Sequence, residues 1–194
     1  MYIFKFTFCL FLLLFLTGIT DAQKRISHDP SDLMSGTLIV RLPTNSKLIH
    51  HYESKGNHNK AEEIRNSIDK LNKDIYRAFS EEYTFSDLGF VFGDDLNSDA
   101  LNRDASFRLL NENLEVDEII EIDSRNIFYL DLSEYQEFKN RAYVLDYQFN
   151  RIPKPFPTGN ISRLKIGFAG LKSDEDKLKE IAFKLNHRLN KAIY

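Results

Sequence analysis

Three of the five histidines lie close together in the first third of the chain. His50, His51 and His58 are accompanied by Glu62, which follows His58 by about one helical turn. Histidine nitrogens and a carboxylate form a common ligand set for Zn²⁺. However, adjacent histidines on a helix point about 100° apart, and the His-Glu-x-x-His pattern is missing. The spacing therefore favours a solvated helix junction, with these four residues as candidate metal ligands.

An acidic pair, Asp94 and Asp95, follows the apolar segment Leu88–Phe92. Ligands of open α/β sheets bind beyond the carboxyl ends of strands, so the pair is a second candidate for cation binding. The alternating Asp-x-Asp-x-Asp-Gly pattern of calcium loops is absent. A turn in which these side chains bond their own backbone is the favoured interpretation.

The segment Pro153-Lys-Pro-Phe-Pro157 carries the candidate partner-binding residue, Phe156. Polyproline segments present side chains to partner proteins, but they also serve as connectors, and Phe156 would then pack into the core. The chain contains neither a Gly-x-Ser-x-Gly motif nor a glycine-rich phosphate loop. We therefore predict no catalytic residue and no cofactor.

The first 22 residues have the layout of a secretory signal peptide. Lys5 precedes an apolar run from Phe6 to Leu16, and small residues lead to a predicted cleavage site between Ala22 and Gln23. The alternative is an uncleaved membrane anchor, but even the longer stretch from Phe6 to Ile19 would span only about 21 Å of a ~30 Å hydrocarbon core. The sequence therefore predicts a secreted or periplasmic protein without a stable membrane span after cleavage.

Composition narrows the possible functions further. The single cysteine, Cys9, lies in the leader, so residues 23–194 have no disulfide and no thiol for redox or metal chemistry. Lys and Arg number 26 against 29 Asp and Glu, giving a net charge of −3. This balance excludes a strongly basic nucleic-acid-binding protein.

Behind the leader we predict a flexible N-terminal arm, residues 23–35, and a single α/β domain, residues 36–194. The strand candidates are 36–42, 88–92, 118–122, 126–131, 143–145 and 148–152. A helix pair follows the first strand, and its longer member runs from about Asn59 to Glu82. A Ser173-x-x-Asp176 capping box opens a C-terminal helix.

The long helix carries apolar residues at alternating spacings of three and four. They are Ala61, Ile64, Ile68, Leu71, Ile75 and Ala78. A coiled coil has the same spacing, but the repeat lasts under three heptads. We therefore expect this helix to pack against the domain's own sheet.

These elements predict a mixed sheet of about five strands. A degenerate thioredoxin-like topology is the alternative, with the hairpin placed within residues 143–152 and followed by the terminal helix. The Cys-x-x-Cys of that family has no counterpart in residues 23–194, so its oxidoreductase activity is not expected.

Several short segments along the chain carry a resemblance to a known group of proteins. They are Asp21-Ala-Gln23, Leu38–Leu42, Ala61–Ile64, Asn72–Phe79, Leu88–Gly93, Asn111–Asp117 and Lys154–Pro157. On these segments the chain resembles small exported bacterial proteins of unknown function. The resemblance implies an exported α/β protein and brings no activity with it.

The sequence thus predicts an exported binding or interaction domain without catalytic activity. Its expected partner is another exported or envelope protein. The alternative is an extracytoplasmic hydrolase or metal-dependent enzyme that uses the histidine and carboxylate residues named above.

Overall fold

The computed structural model describes residues 29–96, 104–123, 126–132, 143–150, 152 and 173–194. The helices are α1 (Pro30–Met34), α2 (Ser46–Ser54), α3 (His58–Glu82) and α4 (Asp174–Ile193). The strands are β1 (Thr37–Leu42), β2 (Asp87–Phe92), β3 (Asp104–Leu110), β4 (Val116–Asp123), β5 (Ile127–Asp131) and β6 (Tyr143–Leu145). The predicted α/β single domain is confirmed, with a helix pair after the first strand and a C-terminal helix.

The main sheet contains four of the described strands in the order β2-β1-β5-β6. Strand β1 is parallel to both neighbours, and Thr37 is in register with Asp87 on one side and Ile127 on the other. Strand β6 is antiparallel to β5. Parallel neighbours need a long crossover connection, which α2 and α3 provide between β1 and β2.

Each face of the main sheet is covered by a different layer. Val40 and Phe128 belong to the core on the helical face, where they join Phe79 of α3 and residues of α4. Ile39 and Tyr129 belong to a second core cluster with Phe107 of β3. Because side chains alternate along a strand, β1 and β5 contribute to both cores. The resulting layers are helices, main sheet and β3–β4 hairpin.

The apolar stripe of α3 packs against the sheet, as predicted. Ala61, Ile68, Ile75 and Ala78 are buried, and Ile75 and Ala78 join the core of the helical face. The stripe also contains a polar residue, Asn72, which is 1% exposed. Its Nδ2 donates a hydrogen bond of 2.9 Å to the backbone oxygen of Pro43, and this bond ties α3 to the end of β1.

We predicted that residues 29–35 belong to the flexible N-terminal arm. In the structure they form the helix α1 together with its N-cap, Asp29, and its C-cap, Ser35. Asp29 and Asp32 make a reciprocal capping box around α1. Leu33 is fully buried in the core of the helical face. This leucine anchors the segment because burying it removes an apolar side chain from water.

The region after β2 differs from the sequence-based expectation. Residues 96–108 are weakly patterned, yet Asp104–Leu110 is a strand, and it pairs with β4. Of the β3 side chains that the structure describes, Phe107 and the half-buried Leu109 contribute to the second core. Two apolar residues at alternate positions are a weak signal for a strand. Strand β6 pairs with β5, whereas residues 146–150 form a turn instead of the predicted hairpin strand.

None of the helices in the described ranges is both long enough and apolar enough to cross a membrane.

Candidate functional site

A pocket of about 390 Å³ lies between the carboxyl-terminal half of α3 and the turn that joins β3 to β4. Its lining residues are Lys73, Tyr76, Arg77, Ser80 and Glu81 from the helix, with Glu112 and Asn113 from the turn. Small-molecule sites typically measure about 300–1,000 Å³, so this pocket suits a ligand at the small end of that range.

One face of α3 forms the helical wall of the pocket. Lys73, Arg77 and Ser80 recur at spacings of four and three, which places them above one another along the helix. Tyr76 is half-buried beside them, and its ring centroid lies 4.3 Å from that of Phe90 on β2. The sheet thus fixes the aromatic part of the wall.

A network of ion pairs links this wall to α4. Arg77 Nη1 lies 3.3 Å from Glu175 Oε2, and Lys179 Nζ lies 2.7 Å from Glu81 Oε2 and 3.2 Å from Glu175 Oε1. Hydrogen bonds to Glu81 and then to Glu175 raise the pKa of Lys179. The charges of Arg77 and Glu81 are therefore already matched within the protein.

The opposite wall is a turn held by Asn111. Its side-chain oxygen accepts hydrogen bonds from the backbone N–H groups of Asn113 (2.9 Å) and Glu115 (3.1 Å). Leu114 has a φ of +64°, a conformation that a bulky side chain rarely adopts. Leu114 also packs against the core of the helical face. The turn is thus fixed from both sides and presents Glu112 and Asn113 to the pocket.

Two opposite charges on the two walls of the pocket have no ion-pair partner in the part of the chain that the structure describes. Lys73 on the helix and Glu112 on the turn form no ion pair with any described residue. Ser80 has no hydrogen bond to a histidine or carboxylate in the described part of the chain, so it lacks the base that activates a nucleophile. The arrangement suits non-covalent binding of a ligand that carries both signs of charge.

The candidate metal ligands among the histidines lie at the surface. His50 and His51 on α2 are exposed, as are His58 and Glu62 on α3. Within the described ranges no group of three or more His, Cys, Asp or Glu side chains is placed to hold a metal ion. The nearby carboxylate of Glu53 instead pairs with Arg65.

The two acids after β2 have different roles. Asp94 accepts a hydrogen bond from the hydroxyl of Ser46 at the start of α2. This bond, followed by one from Thr44 and by the charges of Arg41 and Lys47, lowers the pKa of Asp94. Asp95 is exposed, and its backbone N–H donates to the Phe92 oxygen in a turn (3.1 Å). The two acids do lie in a turn, but the Asp94 carboxylate bonds to side chains at the start of α2 instead of to its own backbone.

The candidate partner-binding residue Phe156 lies outside the described residues.

The pocket between α3 and the β3–β4 turn was not predicted from the sequence. Lys73 and Arg77 offered a signal, because like charges at i,i+4 on a helix repel each other and need a counter-charge. No pattern in the sequence places Glu112 opposite them, since that placement depends on the β3–β4 hairpin.

Comparison with known proteins finds no matching family model, no matching curated protein and no matching solved structure. The resemblance to small exported bacterial proteins and the thioredoxin-like alternative therefore stay predictions.

Proposed function

We propose that the protein is an exported binding domain that takes a small zwitterionic ligand, of amino-acid or short-peptide size, in the pocket between α3 and the β3–β4 turn. The observation that carries the proposal is the pair of unmatched charges, Lys73 and Glu112, on opposite walls. A purely anionic ligand would be repelled by Glu112, and a purely cationic one would be repelled by Lys73 and Arg77. A ligand with a carboxylate and an ammonium group complements both walls.

The uncharged lining groups support the same class of ligand. Tyr76 offers a ring face, while Ser80 and Asn113 offer hydrogen-bonding groups. The ion pairs that occupy Arg77 and Glu81 hold the helical wall in place before a ligand arrives. A preformed site loses less conformational entropy on binding.

Titration calorimetry with free α-amino acids and dipeptides tests this proposal, with acetate and methylamine as the separate halves of a zwitterion. We expect at least one zwitterion to bind more than tenfold tighter than either half. Lys73→Gln and Glu112→Gln should each weaken that binding about tenfold or more, because a hydrogen bond to a charged group contributes about 1.5–3 kcal/mol.

Two substitutions control for general charge effects. Lys70→Gln and Glu62→Gln remove exposed charges from α3 outside the pocket lining and should leave affinity unchanged. Absence of binding by every zwitterion in the panel, or binding that survives both pocket substitutions, would contradict the proposal.

Export is the second part of the proposal, supported by the layout of residues 1–22. Intact-mass measurement on protein recovered from the native host should give a chain that begins at Gln23. A mass that still includes Met1 would contradict cleavage and favour the membrane-anchored alternative.

The enzymatic alternative gains no support from the described residues. His50, His51, His58 and Glu62 are exposed and do not form a ligand group. The expected protein partner of the exported domain stays a prediction.

A further inference from the structure

On the hairpin side of the main sheet, two buried hydrogen-bond donors have no partner among the residues that the structure describes. Arg41 is near the carboxyl end of β1, where its Nη2 makes a long hydrogen bond of 3.4 Å to the backbone oxygen of Gly93. Its Nε is buried and has no hydrogen-bond partner among the described residues. Buried polar groups of this kind are rare, because folding removes them from water without replacing the lost hydrogen bond.

Tyr129 of β5 is the second such group. Its side chain is 0% exposed, and its hydroxyl has no hydrogen-bond partner in the described ranges. Burial raises the pKa of Tyr129 to about 12, although the positive charge of Arg41 acts in the opposite direction. The hydroxyl therefore keeps its proton at neutral pH and is available as a donor.

Within the described ranges, the Arg41 guanidinium also has no carboxylate within ion-pair distance. It forms no ion pair with a described residue. Asp94 is near enough for the charge of Arg41 to lower its pKa, but the Asp94 carboxylate bonds to Ser46 and Thr44. A planar guanidinium with a free Nε–H edge matches the two oxygens of a carboxylate or phosphate.

Phe149 covers both donors. Its ring stacks on Tyr129 with centroids 4.5 Å apart and planes 21° apart, and the Arg41 Cζ lies 5.8 Å from its centroid. Phe149 has a φ of +60°, which is unfavourable for an aromatic residue. The turn persists because Asp146 Oδ1 accepts hydrogen bonds from the backbone N–H groups of Gln148 and Asn150, both at 2.8 Å.

We infer that Arg41 and Tyr129 form a binding site for the carboxylate or phosphate group of a ligand, and that the site opens when the 146–150 turn lifts Phe149 away. Arg41 lies near the carboxyl end of the parallel strand β1, the end at which ligands of open α/β sheets bind, whereas Tyr129 lies in the middle of β5 on the face that Phe149 covers. The strained φ of Phe149 lowers the stability of the closed turn. An anion that accepts hydrogen bonds from Arg41 and Tyr129 can therefore displace the Phe149 ring. This site is separate from the α3 pocket, and either proposal can fail alone.

Titration of the purified protein with sodium acetate and with sodium phosphate, at matched ionic strength, tests the inference. Phe149→Gly removes the covering ring and allows a positive φ without strain. We expect this variant to bind at least one of the two anions tenfold or more tighter than the wild-type protein. Tighter binding of acetate would identify a carboxylate ligand, and tighter binding of phosphate a phosphorylated one.

Arg41→Gln in the Phe149→Gly background should remove that gain, whereas Arg65→Gln, which changes an exposed arginine, should not. Tyr129→Phe in the same background should reduce affinity severalfold, because it removes the hydroxyl and keeps the buried ring of residue 129. Should Phe149→Gly fail to fold, Asp146→Ala loosens the same turn with the ring retained and should raise anion affinity in the same direction. The inference is overturned if no folded variant binds either anion more tightly than wild type, or if Arg41→Gln leaves the binding unchanged.

Discussion

Replacing Gly36 by alanine should destabilise the protein by about 3 kcal/mol or more, because the new methyl group would overlap with the backbone. A Cβ at this position would lie 2.3 Å from the backbone oxygen of Asn126 and 3.0 Å from that of Asp32. Neither atom belongs to a flexible side chain, so β1, α1 or the start of β5 must shift. Urea denaturation of the wild-type and Gly36→Ala proteins measures the loss.

Gly56→Ala is the informative comparison. Gly56 follows α2 with a φ of +73°, and a Cβ there would meet no atom within 4 Å. Its substitution should cost about 1 kcal/mol, from backbone strain alone. Equal losses at the two positions would show that the contact between Gly36 and Asn126 does not constrain the fold.

Truncating Phe79 to alanine should lower the free energy of unfolding by about 3–5 kcal/mol. Phe79 is 0% exposed and lies in the core between α3, the sheet and α4. The substitution removes a large apolar side chain and leaves a cavity that three packed elements cannot fill. Thermal unfolding should show a fall in Tm of about 10 °C or more for a domain of this size.

The same substitution on α4 provides a matched control. Phe183 is 55% exposed, and its ring contacts His187 on the same helix (centroids 6.3 Å apart). Phe183→Ala should change stability by only about 0.5 kcal/mol, as surface substitutions usually do. A loss at Phe183 as large as that at Phe79 would mean that the outer face of α4 is covered in solution.

The sequence predicted elements where one physical signal was strong. Three neighbouring apolar residues between Gly36 and Pro43 predicted β1, and the heptad-like stripe predicted α3. The capping box at Ser173 predicted the first residue of α4. In each case the local pattern of residue types matches the element that the structure shows. Such an element can be predicted without knowing its contacts with distant parts of the chain.

Elements that depend on distant partners were harder to predict. Strand β3 was harder to predict because, among its side chains that the structure describes, Arg108 is exposed and only Phe107 is fully inside the second core. The α3 pocket required knowing that the turn at Asn111 folds over the helix. The Arg41 and Tyr129 site required knowing that β1 and β5 are neighbours.

The strand order also has a consequence for how the chain acquires its structure. Of the two inner strands of the main sheet, β1 is synthesised first, and its partners are β2 and, much later, β5. Until the segment around Ile127 is available to pair, β1 lacks the neighbour that it has on that edge in the folded sheet. Contacts between residues so far apart in sequence slow folding and leave apolar segments accessible to chaperones in the meantime.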